Sequence, residues 1–92
     1  MSAFVIFDFD VIDEWELAAY TALALPTVTT HGGRLLVGGP VERLHGSPGF
    51  RSASILEFED RRSALAWSNS PEYQALLELR SKAIKCSVVL VG

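Results

Sequence analysis

A single cysteine, Cys86, and two histidines, His31 and His45, are all that this 92-residue chain offers of the side chains that usually carry thiol or metal chemistry. One cysteine excludes an internal disulfide and a cysteine-based zinc cluster, and it suits a reducing compartment; a buried place on a strand is expected for it. Two histidines without acidic residues at fixed spacing give no metal signature, so no metal is expected. Cationic excess is missing as well: eight Lys and Arg stand against eleven Asp and Glu, a net charge of -3, which leaves no basic stripe for nucleic acid. Arg61-Arg62 reads as a solvated helix start. No apolar run approaches the ~18 residues of a membrane span, and Met1 to Phe9 lacks the basic start of a secretory signal, so a cytoplasmic protein is expected. There is no phosphate loop, dinucleotide fingerprint or nucleophile elbow, and Gly32-Gly33 and Gly38-Gly39 read as turn chemistry. No organic cofactor is expected.

What is present is a hydrophobic content of 49% with nine aromatic residues, enough for one core and too short a chain for two, so residues 1–92 are read as one domain. Ala3 to Phe9 reads as a strand apolar on both faces. Asp13, with Glu16 three places on, predicts a capped helix from Glu14, placing Leu17, Tyr20, Ala24 and Val28 on one side. Pro26 is expected to kink or interrupt its last turns before Gly32-Gly33. Arg34 to Val37 predicts a second strand, cut off by Gly38-Gly39-Pro40, with Val41 to Leu44 as a bent continuation or separate short strand. After a turn at Gly46 to Gly49, Arg51 to Phe58 predicts a third. Asp60 and Ser70 predict caps of a second helix broken into two pieces, one through Trp67 and one beginning at Pro71. Ser87 to Val91 closes the chain as a fourth strand.

This order, βαββαβ, is that of an α+β ferredoxin-like sandwich: an antiparallel sheet with both helices on one face. Strands apolar on both sides leave the other face bare. Burying ~300 Å² of it would contribute on the order of 8 kcal/mol, so a homodimer pairing two sheets is expected, with no membrane or nucleic-acid partner.

Gly32-Gly33-Arg34 leading to Gly38-Gly39, the strand Arg51 to Phe58 ending in Glu57-Phe58, and the segment from Ala66 through Trp67, Ser70-Pro71-Glu72-Tyr73 to Gln74, with Arg80 beyond, together resemble the DUF1330 family of small bacterial proteins, within the dimeric α+β barrel superfamily. The resemblance spans nearly the whole chain. It implies a homodimer whose sheets meet face to face, and it implies no function. Related branches include cofactor-free monooxygenases, lactone isomerases, polyketide-type cyclases and haem enzymes. The chain departs from the family's usual aromatic at Leu17 and Ser68 and from its usual acid at Ala19 and His45.

Four residues are candidates for a site. His45 and His31 are the only side chains whose ordinary pKa allows proton transfer near neutrality. His31 falls where a helix C-terminus favours an imidazolium cap, and His45 is either a surface substitution or a recruited base. Arg51 at a strand start either clamps a developing oxyanion or pairs with Glu57 or Asp8. Tyr20, on the inward side of the first helix, either donates its phenolic proton to a pocket or is core with its hydroxyl satisfied. Trp67 and Tyr73 read as core, and Asp8 and Asp10 as solvated. Two functions remain open: a cofactor-independent isomerase or cyclase acting on a small aromatic or oxygenated molecule, and a non-enzymatic dimeric module that binds a metabolite or a protein.

Overall fold

The computed structural model describes all 92 residues. β1 (Ala3–Val11) alternates as a half-buried strand must: Ala3, Val5 and Phe7 are buried on one side, while Phe4, Ile6 and Asp8 face the other. Asp13 then caps α1 (Glu14–Thr30), its carboxylate accepting from the Glu16 N–H at 2.9 Å. Tyr20, Ala24 and Val28, spaced four apart, form the buried stripe of α1. The helix ends where Gly32 takes φ +75 and the Gly33 N–H reaches back to the Val28 carbonyl.

β2 (Arg34–Pro40) and β3 (Ser52–Phe58) follow, then α2 (Arg61–Ser68), α3 (Pro71–Gln74), α4 (Leu77–Ala83) and β4 (Ile84–Val91). The sheet runs β2-β3-β1-β4 with every pair antiparallel, which is the ferredoxin-like α+β sandwich that the element order implied. Asp60 and Ser70 cap α2 and α3 through the Ser63 and Tyr73 N–H groups, as expected.

Several expectations need correction. α1 is not interrupted at Pro26. Thr27 anchors that turn, donating to the Ala24 carbonyl at 2.6 Å and accepting from the Trp67 indole N–H at 3.0 Å, so tertiary packing outweighs the missing backbone donor. β2 runs through Gly38-Gly39-Pro40 instead of stopping before them, but Val41 to Leu44 forms no strand. The Val41 N–H still bonds to the Arg51 carbonyl, and beyond that rung the partner strand has ended. The second helix is in three pieces, α2, α3 and α4, and β4 begins three residues before Ser87 because Ile84, Lys85 and Cys86 pair with Val11, Asp10 and Phe9.

The core lies between the helices and one face of the sheet. Trp67 is its centre, with ring centroids 4.2 Å from Tyr73 and 5.5 Å from Phe58, and Phe7 at its edge. Across the opposite face, the register aligns Val37, Ile55, Ile6 and Val89 in one apolar row over all four strands. No element of the chain roofs that row, and Val37 and Val89 are 57% and 47% exposed at its ends.

Candidate functional site

Between α1 and the sheet lies a cavity of about 190 Å³ whose lining is almost wholly apolar. β1 supplies Phe7 and Phe9, β2 Leu35, β3 Leu56 and Ser54, α1 Leu17, Tyr20, Thr21, Ala24, Leu25 and Val28, and Trp67 and Ile84 complete the wall. The space exists because short side chains, Ala24 on the helix and Ser54 on the strand, stand where bulky ones would fill it. An engineered apolar cavity of about 150 Å³ takes up benzene, so this volume suits a substituted single ring.

Among the lining residues, Trp67 gives its indole N–H to Thr27, and Tyr20 carries a hydroxyl that belongs to a second network. Its hydroxyl lies 2.6 Å from that of Tyr73, and Arg80 Nη1 donates to the Tyr73 oxygen at 3.0 Å. Burial, then the adjoining Tyr73, push the Tyr20 phenol far above its ordinary range, so it is a neutral donor or acceptor at any physiological pH. Arg80 is half-buried; desolvation opposes its charge, yet the bond and charge interaction with Tyr73 outweigh it and raise its pKa. The guanidinium meets no carboxylate, since the only ion pair in the chain joins Arg34 to Glu57.

Of the four residues singled out by sequence, the fold places only Tyr20 on the cavity wall. His31 ends α1 with Nδ1 2.9 Å from the Thr27 carbonyl oxygen, in the capping position. His45 lies exposed in the connection between β2 and β3. Arg51 holds that connection to β1 through its backbone N–H, which donates to Asp10 Oδ1 at 2.8 Å, and its side chain makes no ion pair. Of the two carboxylates expected to pair with it, Glu57 is taken by Arg34, and Asp8 makes no ion pair. His31, His45 and Arg51 therefore do not converge with Tyr20 within one subunit. Trp67 and Tyr73 are core as expected, Asp10 is a structural acceptor, and Cys86 is only half-buried on β4. Reading Tyr73 as core missed its hydroxyl, and the role of Arg80 depends on where the broken helix turns. No three His, Cys, Asp or Glu side chains gather anywhere in a way that could hold a metal ion. No helix is long and apolar enough to cross a membrane.

Residues 2–92 match the family described as Domain of unknown function (DUF1330). The chain belongs to the DUF1330 family. None of the curated proteins matches this DUF1330 chain. Among solved structures, it is similar to a protein of unknown function from Rhodopseudomonas palustris, with a TM-score of 0.79 at 14% identity over 98% of this chain and 80% of that one. It is also similar to a dimeric ferredoxin-like protein of unknown function from Thermobifida fusca, with a TM-score of 0.68 at 13% identity over 100% of this chain and 91% of that one. A third is SnoaB, a cofactor-independent oxygenase from Streptomyces nogalater, with a TM-score of 0.72 at 10% identity over 99% and 91% of the two chains. At these identities the likeness is one of fold.

Proposed function

We propose that this DUF1330 protein binds a small, largely apolar, oxygenated molecule of about one ring in the cavity beneath α1, with Tyr20 meeting its oxygen, and that it does so as a homodimer joined through the open face of the sheet. The observation that carries the reading is an apolar cavity of about 190 Å³ bordered by a phenol that a cation holds in place through Tyr73. The dimer is supported by the unroofed Val37–Ile55–Ile6–Val89 row and by the dimeric fold relative from Thermobifida fusca. Phenol and toluene, titrated by calorimetry, test the site. Saturable binding of phenol that disappears in Ala24→Leu, a variant whose circular dichroism stays native, is the expected outcome. Absence of binding, or binding indifferent to filling the cavity, would refute it.

Binding leads over catalysis because no lining side chain is a general base; Thr21 and Ser54 are the only polar residues there besides Tyr20. The second reading is a cofactor-independent isomerase or cyclase, favoured by the Tyr20 phenol, which could hold an oxygen as negative charge develops on it. His45 and Arg51, on the exposed β2–β3 connection, would then act from the partner subunit, as base and anion clamp. Turnover of an identified substrate that survives both His45→Ala and Arg51→Ala unchanged removes those roles.

A further inference from the structure

Two phenolic protons and one guanidinium meet at the Tyr20–Tyr73–Arg80 junction, and the protein supplies too few acceptors for them. Arg80 can only donate, so one lone pair of the Tyr73 oxygen is occupied. One phenolic proton makes the 2.6 Å bond between the two hydroxyls. The other has no acceptor in the protein. If Tyr20 donated to Tyr73, the leftover proton would sit on Tyr73, which is 2% exposed and does not border the cavity. If Tyr73 donates to Tyr20, the leftover proton belongs to Tyr20, a residue of the cavity wall. The cation favours the second arrangement, since a phenol accepting from a guanidinium is a stronger donor itself.

A second observation points the same way. Arg80 is half-buried and has Tyr73 as its only side-chain partner, so its charge is unmatched. The titratable groups acting on Tyr20 are Tyr73 from α3, Arg80 from α4 and Cys86 from β4, none of them a carboxylate. Buried charge is ordinarily paired, and the buried side of this guanidinium has only a neutral phenol beside it.

Resting on the ligand-binding reading above, we infer that the occupant of the cavity carries an acidic oxygen, a phenol or an enol, and is held as its anion, with Tyr20 donating to that oxygen and Arg80 supplying the counter-charge through Tyr73. The ligand's hydroxyl proton leaves to solvent on binding; no bond of the carbon frame changes. The site is thus selective for enolic or phenolic molecules over ketones, ethers and hydrocarbons of the same size.

The probes are 4-nitrophenol, whose anion has its own visible absorption band, and nitrobenzene, which is of similar shape and has no acidic oxygen. Expected is a bound 4-nitrophenol whose apparent pKa lies below that of the free molecule by at least about one unit, a tenfold change in proton affinity. In Arg80→Gln and in Tyr20→Phe that shift should vanish or reverse, because burial alone favours the neutral phenol, while in Arg80→Gln the nitrobenzene affinity stays within about threefold of the parent protein. Nitrobenzene bound as well as 4-nitrophenol, with the latter still protonated, would overturn the charge inference and leave the cavity reading standing. Binding of neither probe would overturn both.

Discussion

The hydroxyls of Tyr20 and Tyr73 approach to 2.6 Å across 53 positions of sequence, joining the middle of α1 to the short helix α3. Tyr73→Phe removes that bond and strips Arg80 of its only side-chain partner, leaving two polar groups unsatisfied. A loss of about 1–3 kcal/mol is expected, read from urea unfolding midpoints. Tyr20→Phe leaves Tyr73 bonded to Arg80 and should cost less, about 1 kcal/mol. Equal losses would mean that Arg80 contributes nothing to the junction.

Gly33 sits against the ring of Phe58, and a Cβ there would overlap the ring edge. Phe58 cannot give way freely, because it is fully buried and packed at a tilt against Trp67. Gly33→Ala should destabilise by about 1–3 kcal/mol, whereas Gly39→Ala, which meets nothing within 4 Å, serves as the near-neutral control. Chemical denaturation of the two variants side by side checks the difference.

On the open face, Ile6 occupies the centre of the four-strand apolar row, paired with Ile55 on one side and Val89 on the other. A charge there would be buried without a partner in a sheet-to-sheet dimer and exposed at small cost in a monomer. Sedimentation equilibrium should show a dimer for the parent chain and a folded monomer for Ile6→Lys. A parent chain that is monomeric at micromolar concentration contradicts the dimer.

Acid should weaken the fold through Asp60 and Glu57. Backbone and side-chain bonds from Ser63 hold Asp60 below its ordinary pKa, and bonds from Ser2 and then Arg34 do the same for Glu57. A depressed carboxylate contributes stability above its unfolded pKa and loses it as pH falls through the folded one, so the loss belongs to the window from about pH 5 downward. Asp60→Asn keeps a good capping side chain but cannot titrate. Its urea midpoint should fall less steeply on acidification than that of the parent, and an identical slope would remove Asp60 from the account.

Local signals carried most of the fold. Asp13, Asp60 and Ser70 announce helix starts through bonds made within three residues, and all three caps form. The β-branched and aromatic strands were equally plain, because alternation needs no knowledge of the partner. What failed was decided at a distance. Pro26 stays inside α1 because its neighbour Thr27 is tied to Trp67, forty residues beyond Thr27. Val41 to Leu44 lacks a ladder because β3 starts at Ser52. The candidate site divides in the same way. The inward position of Tyr20 follows from helical spacing, but its pairing with Tyr73 depends on the break between α2 and α3. His45 and Arg51 stood out for their chemistry alone, and no local pattern says where the connection between β2 and β3 will lie.

The central claim, that the space beneath α1 is a ligand site with Tyr20 as its polar end, is met most directly by a crystal structure of the protein grown with phenol. One phenol per subunit is expected among Phe7, Leu56 and Trp67, its oxygen within hydrogen-bond distance of the Tyr20 hydroxyl. A cavity closed by its own side chains, or phenol bound only elsewhere on the molecule, would contradict it.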